Sequence, residues 1–140
     1  MGGRYLGRAV THVILVLLIA GLAQAASAPC AGVDRNIGIE SKAKIERRIA
    51  KLFKVPKVEV LQSFRLGVWD ILYVETYDSD EPFVFFRGDP FKTRYVTLWS
   101  GAAGYNEEEE IFDWTRKNAP GIPRRLARCF AYHVTKDRDR

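Results

Sequence analysis

Few residues in this 140-residue chain could do covalent chemistry. Of its two histidines, His12 lies inside an apolar run, which leaves His133 as the available base. A small hydrolase would pair His133 with Ser100 and an acid such as Asp113, or with paired acids among Glu109, Glu110 and Asp113. Ser100 sits in Trp99-Ser100-Gly101, which lacks the G-x-S-x-G pattern that holds a nucleophile on a strained turn. A lone histidine on an apolar helical face is more simply a packed residue. No histidine–carboxylate spacing of the zincin kind occurs, and two cysteines cannot build a four-cysteine zinc site. Asp78, Asp80 and Glu81 could touch calcium, but the glycine-centred loop and its distant twelfth-position acid are missing, so they read as a solvated turn. Gly101-Ala102-Ala103-Gly104 could cradle phosphate between a strand and a helix. Glu107 to Glu110 follow at once and would repel the anion. No metal and no cofactor are expected.

Binding offers more. Trp69, Tyr73, Tyr77, Tyr95, Trp99 and Trp114 neighbour Arg65, Arg87, Lys92 and Arg94, and surfaces that mix aromatics with arginine are favoured at interfaces. At least half of these aromatics are expected in the core. The expected binding face is Arg87, Arg94, Tyr95 and Trp99, with a protein, a glycan or an anionic envelope polymer as partner. Arg87-Gly88-Asp89 matches an adhesion tripeptide, yet Gly-Asp-Pro after a strand is ordinary turn chemistry. Lys plus Arg is 22 against 17 acids, but the first 25 residues hold two arginines and no acid, so the rest carries 20 − 17 = +3. That mild excess does not point to nucleic acid. A binding or interaction module is favoured over an enzyme.

The N-terminus supplies a location. Arg4 and Arg8 precede the apolar run Val13 to Ala20, and Ala23-Gln24-Ala25 ends it with small residues flanking a cleavage site. These are the parts of a secretory signal peptide, expected to be removed after Ala25. The apolar run from Val13 to Ala23 is shorter than the roughly 20 residues of a membrane span, so no stable anchor is expected after cleavage. Pro29 stands where a lipoprotein signal places a small residue before its cysteine. The mature chain is read as a periplasmic or secreted bacterial protein of residues 26–140. Export favours pairing Cys30 with Cys129, one near each end of that chain.

The elements that must position these residues follow from periodicity. Ile45, Ile49, Leu52 and Phe53 fall on one helical face between Ser41 and Phe53, and Lys42, Lys44, Arg47, Arg48 and Lys51 occupy the remainder. Strands are expected over 58–64, where alternation is imperfect, and over 68–77, 83–86 and 94–99. Their short connections imply an antiparallel meander. Asn106, with Glu109 completing a capping box, should start a helix carrying Ile111, Phe112 and Trp114. Pro123 should open another that carries Leu126, Cys129, Phe130, His133 and Val134 opposite Arg124, Arg125 and Arg128. Lys136 to Arg140 should fray. The expected class is α+β: an N-terminal helix, a four-stranded antiparallel meander, and two C-terminal helices packed on one sheet face, in a single small domain.

Overall fold

The computed structural model describes residues 1–2 and 28–138. The expected signal segment, with Arg4, Arg8, His12, the apolar run and Ala25, lies outside them. Helix α1 (Ile39–Phe53) is followed by strands β1 (Glu59–Leu66), β2 (Trp69–Glu75), β3 (Phe83–Arg87) and β4 (Tyr95–Trp99). Helices α2 (Glu108–Asn118) and α3 (Arg124–Tyr132) come next, and α3 runs on into a π-helical turn, His133–Asp137. The strands pair antiparallel in the order β1-β2-β3-β4, so the fold is the expected α+β arrangement.

Both faces of the central strands are apolar, and each face has its own cover. Phe64, Trp69, Ile71, Tyr73, Phe83, Phe85 and Trp99 pack with Ile111 and Phe112 of α2 and Leu126 and Phe130 of α3. The two C-terminal helices therefore share one face. Leu72, Val74, Val84 and Phe86 point the other way, onto Ile45 and Ile49 of α1. The sheet is thus a middle layer, with α1 on the face opposite α2 and α3. The cause is visible in β2, where Trp69, Ile71 and Tyr73 alternate with Leu72 and Val74, so neither face can be left in water.

Two bulges set which side chains reach which layer. Val60 pairs with Val74 but Gln62 with Tyr73, so Leu61 is an extra residue in β1. Phe85 pairs with Thr97 but Phe86 with Tyr95, so Val96 is extra in β4. Since side chains alternate across a strand, each extra residue flips the parity beyond it. This accounts for the imperfect alternation of the first strand.

Both ends of the described stretch 28–138 are tied down. A disulfide joins Cys30 to Cys129 with the Cα atoms 4.5 Å apart. After it, Asp34 forms a two-bond bridge to Arg65, and Arg35 donates to the Ser63 carbonyl while its guanidinium lies 3.8 Å over the Phe64 ring. At the other end, Arg138 donates to the Tyr73 hydroxyl and to the Gly101 carbonyl, and Tyr73 donates to Glu81 at 2.7 Å. The expected fraying therefore does not begin at Lys136, because residues 136–138 are held by the turn and by this clamp. The expected Asn106 cap is also absent. Glu107 is the capping residue of α2, its carboxylate accepts from the Gly104 amide, and Glu109 faces Arg128 instead.

Candidate anion-binding site

A cluster of arginines lies on the α2–α3 hairpin. The tight turn between the helices rests on Gly121, whose φ of +86° a side chain would strain, and on the buried Ala119 and Ile122, joined by an amide-to-carbonyl bond of 3.1 Å. The two helices run antiparallel, which sets the end of α2, with Arg116 and Lys117, beside the start of α3, with Arg124, Arg125 and Arg128.

Phe112 is the hub of this surface. Its ring carries the guanidiniums of Arg128 at 3.9 Å, Arg124 at 5.1 Å and Arg116 at 5.6 Å from the centroid. The negative face of an aromatic ring attracts such cations, and the planar guanidinium stacks on it. Arg128 is neutralised: Glu109 accepts from both of its terminal nitrogens, and Glu108 lies 3.8 Å away. The Glu109 carboxyl is held below its usual range, first by that bond and then by the fields of Arg128 and Arg124. Among the described residues, no carboxylate forms an ion pair with Arg116, Arg124 or Arg125.

A groove of about 400 Å³ extends the surface past the disulfide, lined by Pro29, Ala31, Arg124, Arg125 and Arg128. Arg125 crosses Gly32 so closely that a Cβ there would stand 3.1 Å from its terminal nitrogen. Gly32 also has a φ of +75°, so its lack of a side chain serves both the turn and the arginine. The first turn of α3 contains no acid, so its exposed amides add to the positive field. Guanidiniums carry a fixed charge and only hydrogen-bond donors, so what this arrangement offers chemically is donation to an acceptor and not proton transfer.

The residues singled out from the sequence fare differently. Arg87 and Arg94 are exposed at neighbouring ends of β3 and β4, and Tyr95 is 38% exposed, its ring edge-on to Phe53 on the α1 face. Trp99 is only 9% exposed and packs against Phe83 and Phe130 on the opposite face. The four do not share one surface, because the extra residue Val96 turns Tyr95 away from Trp99.

The hydrolase constellation does not assemble either. His133 is fully buried, with its ring 4.8 Å from Phe64 and 6.0 Å from Phe83 in the α2–α3 layer. Ser100 is exposed and borders a groove with Leu52, Phe53 and Tyr95 on the α1 side, and Asp113 is exposed on α2. Among the described residues, no three metal-ligating side chains gather. Glu81 is engaged by Tyr73 and lies 3.9 Å from Arg138. Arg87-Gly88-Asp89 is a turn in which Asp89 accepts from the amides of Phe91, Lys92 and Thr93.

The arginine cluster itself was partly visible. In the sequence Arg124, Arg125 and Arg128 stand together opposite the apolar face of the last helix, and Asn118 to Pro123 breaks the chain before it. What was missing was the pairing of Phe112 with that face. No protein-family model, no curated protein and no solved structure matches this chain.

Proposed function

We propose that this chain is an exported binding module that holds an anionic envelope polymer on the arginine face of the α2–α3 hairpin. The observation that carries this is the convergence of Arg116, Arg124 and Arg128 on Phe112, with one of the three matched by a carboxylate. Arg116 and Arg124 gather on that ring with no ion pair of their own among the described residues, and bidentate arginine contacts suit phosphate groups. Arg125 and the groove beside Pro29 lengthen the surface enough to follow a chain and not just a single ion. The Cys30–Cys129 bridge supports an oxidising compartment, and among the described residues no helix is long and apolar enough to cross a membrane. The signal-like N-terminus adds to the export reading, with the periplasm or the extracellular space as the destination.

The test is retention on immobilised polyphosphate, with a neutral glycan as the control surface. Wild type should bind polyphosphate and lose binding as salt rises. Arg124→Ala and Arg116→Ala should each weaken binding by about tenfold, the scale of one charge-assisted hydrogen bond. Arg47→Ala on the far face of α1 should leave it unchanged. Equal loss in all three variants, or tighter retention on the neutral glycan, would overturn the assignment.

A further inference from the structure

The two edges of the sheet are treated differently. The β1 edge is closed by the bridge from Asp34 to Arg65 and by Arg35 on the Ser63 carbonyl. At β4, among the described residues, no backbone hydrogen bond beyond the pairing with β3 reaches residues 95–99. Tyr95, Val96 and Leu98 are 38%, 42% and 37% exposed along that strand. An open apolar edge is a template for another strand, and proteins that keep one in water normally guard it with charge, proline or a bulge; β4 has a bulge at Val96, which leaves Val96 to Leu98 as its regular open run.

Charge at β4 lies at its ends and has opposite signs. Arg94 precedes the strand, with Arg87 beside it at the end of β3. At the other end, Asp78 and Asp80 border the groove that also contains Tyr95, Leu98 and Ser100. Among the described residues, none of these four charges has an ion-pair partner.

We propose that a second copy of this chain pairs with the β4 edge, strand antiparallel to strand, about a two-fold axis near Thr97. That operation sets Val96 of one copy opposite Leu98 of the other, twice. It also carries the Arg94 end of each copy to the Asp78–Asp80 turn of its mate. The edge is therefore complementary to itself in both apolar side chains and charge, as an isologous interface requires. This inference is independent of the arginine site, which lies in the other layer. The dimer is an eight-stranded sheet with one α2–α3 face per copy.

Molar mass by sedimentation equilibrium across a concentration series tests it. Wild type should approach twice the chain mass as concentration rises. Arg94→Glu should weaken association at least tenfold, and Asp80→Arg should do the same. Combining the two exchanges the signs and should restore association. Leu98→Lys should yield a monomer whose circular dichroism matches wild type. A wild type that stays monomeric at millimolar concentration would overturn the inference. So would a dimer indifferent to Leu98→Lys, or a double variant no better than either single one. An extended peptide of a different protein that binds where a second copy does not would show that the edge has another occupant, and would equally overturn it.

Discussion

Replacing Cys30 by alanine should cost stability through the unfolded chain more than through the folded one. The bridge closes a loop of 99 residues, for which the chain-entropy relation gives about 16 cal/mol/K, or about 4.7 kcal/mol at 25 °C. Cys30 is the better partner to change. Cys129 is fully buried in the core, so its replacement would add a packing loss, whereas Cys30 is half-buried at the edge. Without the bridge the lead-in is still held by the Asp34–Arg65 bridge and by Arg35 on Ser63, so the folded contacts survive. Urea denaturation followed by tryptophan fluorescence is the assay. With the usual slope of about 1–3 kcal/mol per molar urea, the midpoint should fall by at least about 1.5 M. The slope itself should rise, because the released chain expands when unfolded. Reductant should lower wild type to the level of Cys30→Ala and leave the variant where it is. A loss under about 1 kcal/mol, or a variant still sensitive to reductant, would refute the loop-closure reasoning.

Asp70 is 6% exposed, and burial raises its carboxyl above the usual range despite the 2.7 Å bond from Arg65 that opposes the rise. The folded state then holds its proton longer than the unfolded one, so stability should fall as pH rises from about 3.9 toward the folded value. Asp70→Asn should flatten that segment of the stability–pH curve. Trp99→Ala should cost about 3–5 kcal/mol as a core deletion, whereas Tyr95→Ala should cost about 1 kcal/mol or less, both measured by urea denaturation. Arg138→Ala removes donors to the Tyr73 hydroxyl and the Gly101 carbonyl and should cost about 1–2 kcal/mol. It should also expose the chain near Lys136 to trypsin, read by the rate of cleavage.

The element order was legible because its signals are local. Ile45, Ile49 and Phe53 repeat at helical spacing, and Pro56 follows close behind them. The short polar turns between β-rich runs leave little room for any arrangement but a meander. Layering was harder to read. The double-sided apolar pattern of β2 implies cover on both faces, yet nothing local says which helix takes which face. The side of a strand is legible only while parity holds, and the bulge at Val96 breaks it, which is why Tyr95 and Trp99 look alike in sequence and face apart in space. The pairing of Cys30 with Cys129 was expected from the cysteine count and the signal-like N-terminus alone. The arginine site needed three-dimensional information, because Arg116 and Arg124 meet over Phe112 only once Gly121 has reversed the chain. His133 shows the converse: a residue type suited to chemistry is fully buried against Phe64 and Phe83.

NMR of the arginine side chains during a polyphosphate titration tests most directly whether the α2–α3 arginine face holds an anionic polymer. The Nε–H signals of Arg116, Arg124 and Arg128, with the backbone amide of Gly32 beneath Arg125, should shift together and saturate at one affinity. Signals of Arg47 on α1 and Arg87 at the end of β3 should stay in place. Saturable shifts confined to Arg47 and its neighbours, or an absence of saturation anywhere at low salt, would contradict it.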